Sequence, residues 1–344
     1  MEWKIGFIGF GTVGQGFAEI LLEKKEMLKE RFGINYKVVA ISDMLKGSVY
    51  NPDGLDIKKV LEMVKEGKKL DEYPDGVKGL DALATIRETN SNLIVEVTYT
   101  DVKTGEPALT HVRTALQEGK NVISTNKGPP VKAVKDLMKL AEENNVFYGF
   151  EGVVLAGTPV FNLLEYCLAG NTIREVKGIV NGTTNYILTR MEEGMSYDDA
   201  LRKAQELGYA EADPTGDVEG WDALGKIVIL SNVIFDANLK WEDVPREGIT
   251  NITIEDIKSA KDEGKRWKLI ASAGLNEDGK FYAKVGPEKL PLSDPLAGVS
   301  DATNALTFIT DELGSVTIVG PGAGRRETGF SLLIDLINLN RKMG

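Results

Sequence analysis

The chain opens with an apolar stretch, a glycine-rich turn and a long segment of helical periodicity. "KIGFIGFG" is typical of a short buried strand, and "TVGQGFAEILLEKKEMLKERF" has the apolar spacing of an amphipathic helix. Further apolar strands, "YKVVAIS", "NLIVEVTYT" and "NVISTNK", alternate with segments of helical spacing. Strands that alternate with helices predict a parallel sheet. This first part is therefore predicted to be a Rossmann-type α/β domain.

The pattern changes after "VFYGF". "IREVKGIVNG" is a predicted strand, and a helix is expected to follow it with Thr183 or Thr184 as the N-cap. "SYDDALRKAQELGYA" predicts a helix that Ser196 caps and Gly208 ends. Further on, "FYAKVGPEKL" and "TNALTFITDELGSVTIVG" alternate in the manner of antiparallel strands. The second part is therefore predicted to be an α+β domain.

Three segments follow from these patterns. We predict a dinucleotide-binding domain over 1–148 and a catalytic and dimerisation domain over 149–318. The last segment, 319–344, begins with the glycine-rich "GPGAGRRETG" and continues as a helix that is expected to return to the first domain.

Composition narrows the class of protein. The chain has 344 residues, of which 42% are hydrophobic and 27% charged, as is usual for a globular protein. A net charge of −11 argues against a nucleic-acid partner, which would require a basic face. No run reaches the roughly 18 apolar residues of a membrane span, and the chain enters its first strand without a signal-peptide pattern. We expect a cytoplasmic protein.

Two residue types are scarce enough to exclude chemistry. Cys167 is the only cysteine, which excludes an internal disulfide and a cysteine-rich metal site. His111 is the only histidine, which excludes a site built from several histidines, and we interpret it as a surface or packing residue of a helix. Proton transfer is therefore expected to depend on Lys, Asp, Glu or Tyr.

The first turn carries a dinucleotide fingerprint. Gly9, Gly11 and Gly14 form G-x-G-x-x-G between a strand and a helix. The first glycine allows a tight turn, the second lets a pyrophosphate approach the backbone, and the third lets helix and strand pack closely. The remaining residues of this predicted cofactor site are Phe10, Thr12 and Val13.

Polar residues at the ends of other strands extend this site. Asp43 follows the second strand, where an acidic residue usually binds the adenosine ribose and favours NAD. Lys46 is close enough to accept a 2′-phosphate, so the sequence leaves NAD or NADP open. Thr98 and Lys127 end two further strands, where ligands bind in open α/β sheets.

The stretch "YAEADPTGDVEGWDALGKIVIL" crowds carboxylates ahead of an apolar helix. A helix from about Val218 places Asp222 and Lys226 four residues apart on one face. Two interpretations stay open: an exposed ion pair, or a partly buried pair in which the lysine acts as an acid or base. Asp213 and Asp217 are expected to cap or brace the start of the helix.

The motifs together resemble one enzyme family. "GIVNGTTNYIL" and "LGYAEADPTGDVEGWDALGKIVIL" look like the signature of homoserine dehydrogenases, and the likeness extends to the glycine fingerprint, "TNK", "EGVVLAGTP" and "GPGAG". It covers nearly the whole chain. The aspartate-rich block is far more specific than the glycine fingerprint alone.

The resemblance implies reversible reduction of L-aspartate 4-semialdehyde to L-homoserine with NADH or NADPH, in threonine and methionine biosynthesis. It implies that Lys226 relays the proton to the aldehyde oxygen, with Asp222 beside it. Lys127 would lie by the nicotinamide as a second candidate for proton transfer. Glu211, with Asp222, would hold the substrate ammonium group.

Further site residues are implied in the same way. Gly182 and Thr183 would line the substrate pocket, and Gly208 would lie near the nicotinamide. Gly322 would contact the nucleotide, although Arg325 and Arg326 stand where this family usually has smaller residues. The "NKGPP" loop is also stiffer than usual in this family.

The family also binds a monovalent cation, often sodium, and forms homodimers through the sheet of its second domain. The matching cation ligands are Glu151 and the backbone carbonyls of Val154, Ala156 and Thr158. Oxygen ligands suit such an ion, and a purely structural turn is the alternative. The chain ends after its last helix, so we expect no ACT regulatory domain and weak or absent inhibition by threonine.

Three other classes of protein share parts of this pattern. Aspartate-semialdehyde dehydrogenase needs a nucleophilic thiol, whereas Cys167 follows apolar residues and is predicted to be buried. Lactate- and malate-type dehydrogenases need a histidine acid/base, and His111 is badly placed for that role. A nucleotide-sensing regulator would keep the glycine turn but would not need Glu211, Asp222 and Lys226.

Overall fold

A computed structural model describes residues 2–344. The chain divides into two compact units, one formed by residues up to Pro159 together with Gly324–Gly344, and one formed by Val160–Ala323. The boundaries expected from the sequence lay after residues 148 and 318. The structure thus assigns 149–159 to the first unit and 319–323 to the second.

The first unit contains a seven-stranded sheet. Its strands are β1 (Glu2–Ile8), β2 (Asn35–Asp43), β3 (Gly47–Tyr50), β4 (Val77–Lys78), β5 (Leu93–Glu96), β6 (Asn121–Ser124) and β7 (Tyr148–Gly149). The order is β4-β3-β2-β1-β5-β6-β7, with parallel pairing from β2 to β7. β3 and β4, which the sequence did not predict, extend one edge with antiparallel pairing. The predicted Rossmann-type parallel sheet is confirmed.

Helices connect the strands of this sheet. They are α1 (Thr12–Glu23), α2 (Lys25–Phe32), α3 (Ile57–Lys65), α4 (Ala82–Glu88), α5 (Ala108–Gln117) and α6 (Gly128–Glu143). Fully buried aromatic residues of β1 and α1, Phe7 and Phe17, form the centre of the core, with ring centroids 5.9 Å apart. This contact packs α1 against β1.

The second unit is built on an antiparallel sheet. Its strands are β8 (Ile173–Ile179), β9 (Lys265–Leu275), β10 (Phe281–Pro291), β11 (Thr303–Thr310) and β12 (Ser315–Pro321), in the order β10-β9-β8-β11-β12. Its helices are α7 (Gly182–Glu192), α8 (Tyr197–Glu206), α9 (Thr215–Val218), α10 (Trp221–Ile234) and α11 (Ile254–Asp262). The expected α+β architecture is confirmed.

The last helix, α12 (Arg325–Met343), belongs to the first unit and packs along α1. A Cβ on Gly16 would lie 2.4 Å from the Arg325 carbonyl oxygen, so only glycine permits this approach. Arg325 and Arg326, unusual by the family pattern, pair with Glu19 and Glu23 of α1. Both arginines thus serve the contact between these two helices.

Two helices begin earlier than the sequence suggested. α6 begins at Gly128, so the Gly-Pro-Pro segment is its first turn rather than a separate turn, because proline is well suited to the first helical positions. α7 begins at Gly182, and its N-cap is Asn181, whose side chain accepts a hydrogen bond from the Thr184 amide. The predicted cap at Thr183 or Thr184 is wrong, since both residues already lie inside the helix. Ser196 is confirmed as the cap of α8.

Cys167 is exposed, which contradicts the prediction of a buried cysteine. It ends a π-helical segment, Leu163–Cys167, in which none of the five residues is buried. Leu163 and Leu164 are half-buried and Leu168 is buried, so the apolar residues around Cys167 are covered while the thiol itself is exposed. Within residues 2–344, no helix is long and apolar enough to cross a membrane.

Candidate active site

The glycine turn of the first unit is shaped for a phosphate group. Gly9 has φ +90°, and a Cβ there would lie 2.6 Å from the Val97 carbonyl oxygen. A Cβ on Gly11 would meet nothing within 4 Å, so the backbone is open at the N-terminus of α1. Amide groups at such a helix end bind anions. The turn therefore fits the pyrophosphate of a dinucleotide.

The other predicted residues lie in the glycine turn itself or in the first turn of α1. Phe10 and Gly14 are buried, Val13 is half-buried and Thr12 is exposed. The Phe10 side chain packs edge-on against Phe7, with ring centroids 5.4 Å apart. Phe10 can thus contribute only its backbone to a nucleotide.

Asp43 connects the end of β2 to this turn. Its Oδ2 accepts a hydrogen bond from the Phe10 amide at 2.7 Å, and its Oδ1 accepts from the amides of Leu45 and Lys46 at 3.0 and 2.9 Å. The Lys46 ammonium lies 3.8 Å from the same carboxylate. The carboxylate is therefore held in place at the position where Rossmann domains bind the ribose.

Thr98 is held by a residue that the sequence did not single out. Glu96, fully buried at the end of β5, accepts hydrogen bonds from the Thr98 amide and hydroxyl. His111 Nδ1 lies 3.4 Å from Glu96 Oε1, and the Ser124 hydroxyl donates to the Glu96 carbonyl at 2.8 Å. Of the two environments predicted for His111, surface and packing, the structure shows packing, because the residue is buried. A glutamate within an apolar run was the available signal for Glu96.

Lys127 directly precedes α6, and the neighbouring Asn126 sets its position. The Asn126 side chain donates to the carbonyls of Thr98 and Tyr99 at 3.2 and 3.1 Å, and accepts from the Gly128 amide at 3.0 Å. One amide therefore joins the loop after β5 to the start of α6. Lys127 and Thr98 therefore both lie beyond the carboxyl ends of the parallel strands.

The predicted cation ligands lie in the turn after β7. Glu151 is 3% exposed, and its amide donates to Asp335 Oδ2 at 3.1 Å. Burial and the negative charge of Glu151 raise the pKa of Asp335 well above its usual range. Two buried carboxyl groups side by side provide a setting that a monovalent cation would stabilise.

The backbone of this turn is irregular. Ala156 has φ +48°, an uncommon value for a residue with a side chain, and the Thr158 amide donates to the Leu155 carbonyl at 2.9 Å. Val154 and Ala156 are buried, so their carbonyls are shielded from bulk water. The residues present fit a cation held by one carboxylate and backbone oxygens. A different kind of metal site, built from three or more His, Cys, Asp or Glu side chains, does not occur among residues 2–344.

In the second unit, Lys226 and Asp222 form a buried pair. Lys226 Nζ lies 2.8 Å from Asp222 Oδ2 and donates to the Val180 carbonyl at 2.6 Å. The two side chains are only 8% and 14% exposed, so the alternative of an exposed surface pair is wrong. Removal of bulk water strengthens such an interaction, and a lysine held in one position is a candidate for proton transfer.

Asn181 connects this pair to the start of α7. Its Nδ2 donates to Asp222 Oδ2 at 3.0 Å and to Asp217 Oδ1 at 2.7 Å, while its Oδ1 caps α7 through Thr184. Asp217 thus braces the site, and Asp213 accepts from the Thr215 amide at the start of α9. Asn181 was not among the residues predicted from the sequence, although an asparagine directly after a strand and before a helix is a capping signal.

Of the other predicted substrate and nicotinamide residues, Gly182 and Thr183 begin α7, and Gly208 lies in the turn beside them. The Thr183 hydroxyl donates to the Tyr209 carbonyl at 2.6 Å, which places Thr183 beside the turn that contains Gly208. A Cβ on Gly182 would lie 2.6 Å from the Ala302 carbonyl. Glu211 is exposed after this turn and is not part of the Asn181 network.

Gly322 lies against a buried asparagine. A Cβ on Gly322 would be 2.1 Å from Asn304 Nδ2, and one on Gly182 would be 3.2 Å from Asn304 Oδ1. Asn304 is 1% exposed, and neither polar atom of its side chain has a hydrogen-bond partner within residues 2–344. Its amide therefore lies between the two glycines that the sequence assigned to substrate and nucleotide.

Comparison with known families agrees with both units. The homoserine dehydrogenase family model matches residues 159–337. A second family model, Glutamate/Leucine/Phenylalanine/Valine dehydrogenase, matches residues 4–146, the region of the Rossmann-type sheet.

Individual relatives span almost the whole chain. An NAD(+)-dependent homoserine dehydrogenase of Pseudomonas canavaninivorans is 43% identical over 99% of this chain and 97% of its own length. A homoserine dehydrogenase of Methanocaldococcus jannaschii is 40% identical over 96% and 97%. A hyperthermophilic archaeal homoserine dehydrogenase in complex with NADPH superposes with a TM-score of 0.85 at 32% identity, covering 100% of this chain and 99% of that one. The chain belongs to the homoserine dehydrogenase family.

Proposed function

We propose that this chain interconverts L-homoserine and L-aspartate 4-semialdehyde with NAD or NADP, in threonine and methionine biosynthesis. The buried Lys226–Asp222 pair carries the proposal, because aldehyde reduction needs a proton donor at the carbonyl oxygen. The nicotinamide, when bound, supplies or accepts the hydride. The relatives named above support the same reaction.

Each polar group then has a distinct role. Lys226 donates a proton to the oxygen that becomes the homoserine hydroxyl, and takes it back in the reverse direction. Asp222 holds the Lys226 ammonium at 2.8 Å and, with Glu211, attracts the substrate ammonium group. Lys127 is the second candidate for proton transfer. Asn181 is a positioning residue, because it touches Asp222 rather than the substrate.

The nucleotide is held by the turn from Gly9 to Gly14. We infer a preference for NAD, because the Asp43 carboxylate is fixed where a 2′-phosphate would meet negative charge. The NAD(+)-dependent relative supports this choice, whereas a structural relative binds NADPH. Lys46, 3.8 Å from Asp43, is the residue that would weaken the preference.

The assay is homoserine-dependent reduction of NAD and NADP, followed by absorbance, with lactate and malate as controls. Turnover with homoserine alone supports the reaction, and the ratio of kcat/KM for the two nucleotides measures the preference. No turnover with either nucleotide, in either direction and with sodium or potassium present, would contradict the proposed activity.

A monovalent cation at Glu151 and a cytoplasmic homodimer belong to the same proposal. If the site binds sodium, the protein should have a higher Tm in a sodium salt than in the salt of a large organic cation. Glu151→Gln should remove that difference in Tm. Sedimentation of the purified chain tests the dimer, and a monomer at assay concentration would contradict it.

A further inference from the structure

Two arginines, Arg325 and Arg326, begin α12 and bind neighbouring glutamates of α1. Arg325 donates through Nε and Nη2 to Glu19 at 3.2 and 2.6 Å. Arg326 donates through Nη1 and Nη2 to Glu23 at 2.8 and 2.7 Å. Both pairs have two hydrogen bonds and are partly exposed, and such ion pairs contribute little to stability. The glutamates alone therefore do not distinguish the two arginines.

Arg325 makes a contact that Arg326 does not make. Its Nη2 also donates to Gln15 Oε1 at 3.4 Å, a long hydrogen bond that the charge of the guanidinium strengthens. Within residues 2–344, the side chain of Arg326 donates only to Glu23. The guanidinium of Arg325 is therefore connected to a residue in the first turn of α1, beside the glycine turn.

Gln15 connects Arg325 to the glycine turn. Its Nε2 donates to the Phe10 carbonyl at 2.9 Å. A guanidinium has only donors and a carbonyl only accepts, so one orientation of the Gln15 amide satisfies both: oxygen towards Arg325 and nitrogen towards Phe10. Without the guanidinium, the amide loses the partner that holds its oxygen. The Phe10 carbonyl is then held less firmly.

The Phe10 carbonyl belongs to the peptide group that carries the Gly11 amide. The backbone hydrogen bonds of α1 begin with the Gln15 amide, which donates to the Gly11 carbonyl at 3.0 Å. The Phe10 carbonyl thus lies before the helix and accepts from a side chain instead. A peptide group is planar and trans, so its N–H points away from its carbonyl. The hydrogen bond from Gln15 therefore fixes the direction of the Gly11 N–H, which donates to no group within residues 2–344.

Both ends of this connection are held in place. The Phe10 amide donates to Asp43 Oδ2 at 2.7 Å, so Asp43 and Gln15 hold the two peptide groups of Phe10. At the other end, Gly16 lets the carbonyl oxygen and the Cγ of Arg325 approach α1, since a Cβ there would lie 2.4 and 3.0 Å from them. The contacts from Arg325 to Phe10 thus lie between two fixed segments.

We propose that Arg325 is a positioning residue for the nucleotide, because through Gln15 it fixes the peptide group whose amide, on Gly11, meets the pyrophosphate. Arg326 has no such role and serves only the contact between α12 and α1. The proposal rests on the proposed function, since it takes a nucleotide to bind at the glycine turn. Because NAD and NADP share the pyrophosphate, Arg325 acts on the binding of both.

Titration calorimetry of the whole protein with NAD and with NADP tests the proposal. Arg325→Met keeps an aliphatic stem beside Gly16 but removes the guanidinium, and should weaken the binding of both nucleotides by about fivefold, the scale of one net hydrogen bond. Arg326→Met removes an equivalent ion pair and should bind both nucleotides as the wild type does. Wild-type affinity in Arg325→Met, equal weakening in the two variants, or weakening for NADP alone would overturn the proposal.

Gln15→Met tests the same connection by a second route. It should weaken the binding of both nucleotides by about fivefold or more. The double variant Arg325→Met/Gln15→Met should bind no more weakly than Gln15→Met alone, because both residues act through one hydrogen bond to the Phe10 carbonyl. Additive losses would show that Arg325 acts independently of Gln15 and would overturn the proposal.

Steady-state kinetics separate this role from a general loss of structure. Arg325→Met should raise the KM for each nucleotide by about fivefold and leave kcat and the KM for homoserine at their wild-type values. A lower kcat with unchanged KM for the nucleotides would overturn the proposal. A wild-type protein that binds neither nucleotide would contradict the proposed function itself. Normal binding by the wild type, with no change in Arg325→Met, would overturn only the role of Arg325.

Discussion

Asn181 Nδ2 lies 3.0 Å from Asp222 Oδ2, although the two residues are 41 positions apart in the chain. The same side chain caps α7 through its Oδ1, so one residue both starts a helix and orients the carboxylate that pairs with Lys226. The orientation of the Lys226–Asp222 pair is therefore coupled to the position of α7.

Lys226→Ala should lower kcat by about 10² or more, because the proposed proton donor is removed. Steady-state assays in both directions measure this effect. Lys203→Ala, at an exposed lysine of α8, serves as the control and should keep wild-type turnover. A Lys226→Ala enzyme that is folded and nearly as fast as wild type would eliminate this residue as the proton relay.

Asn181→Ala should lower kcat as well as stability. Loss of the cap costs about 1 kcal/mol of unfolding free energy, and Asp222 also loses its donor. Ser196→Ala removes the equivalent cap of α8, which is not connected to Asp222, and should cost similar stability at unchanged kcat. Equal kcat in the two variants would show that Asn181 acts only as a cap.

Gly9→Ala should raise the KM for the nucleotide by about tenfold or more. The new Cβ would lie 2.6 Å from the Val97 carbonyl, in a backbone conformation of φ +90°, so the turn must move. Gly33→Ala is the matched control, since Gly33 also has positive φ, at +67°, but open space around it. It should lose about 1 kcal/mol of stability and keep its KM. A normal KM in Gly9→Ala would show that the nucleotide tolerates a displaced turn.

Lys268 should make stability depend on pH in the alkaline range. It is fully buried, donates to Asn185 Oδ1 and the Val299 carbonyl, and burial lowers its pKa to about 8. Between this value and the unfolded value of about 10.4, the unfolded chain binds the proton that the folded chain has released, so stability rises with pH. Below about pH 8 both states are protonated, and the folded state carries the full cost of the buried charge.

Denaturant unfolding at about pH 7 and about pH 10 checks this prediction. Relative to wild type, Lys268→Met should lose about 1 to 3 kcal/mol of the rise in stability between the two pH values. Lys261→Met, at an exposed lysine, should keep the wild-type rise. An identical pH dependence in wild type and Lys268→Met would show that Lys268 does not titrate in this window.

Local spacing predicted much of the active site. Asp222 and Lys226 lie four residues apart in one helix, so their pairing follows from helical geometry. Gly9 and Asp43 lie at the ends of neighbouring parallel strands, where the order of elements alone brings them together. These predictions depend on short distances along the chain or on a topology that recurs.

The residues whose environment was not predicted depend on packing between distant segments. Cys167 is exposed although the next residue, Leu168, is buried, and the apolar sequence around the cysteine did not reveal this difference. Glu96 is buried because Thr98, His111 and Ser124 surround it from separate elements. Periodicity reports which face of an element is apolar, but it does not report what that face meets.

By itself, the sequence determined the parallel and antiparallel units, the glycine turn and the spacing of Asp222 and Lys226, since each depends on backbone geometry within one element or one recurring motif. The tertiary structure decided that Asn181 orients Asp222, that Lys226 is buried and that Lys268 carries its charge in the core. The free energy of a buried polar group depends on partners that the fold brings from elsewhere in the chain. That dependence is the reason why these roles appear only once the elements are packed.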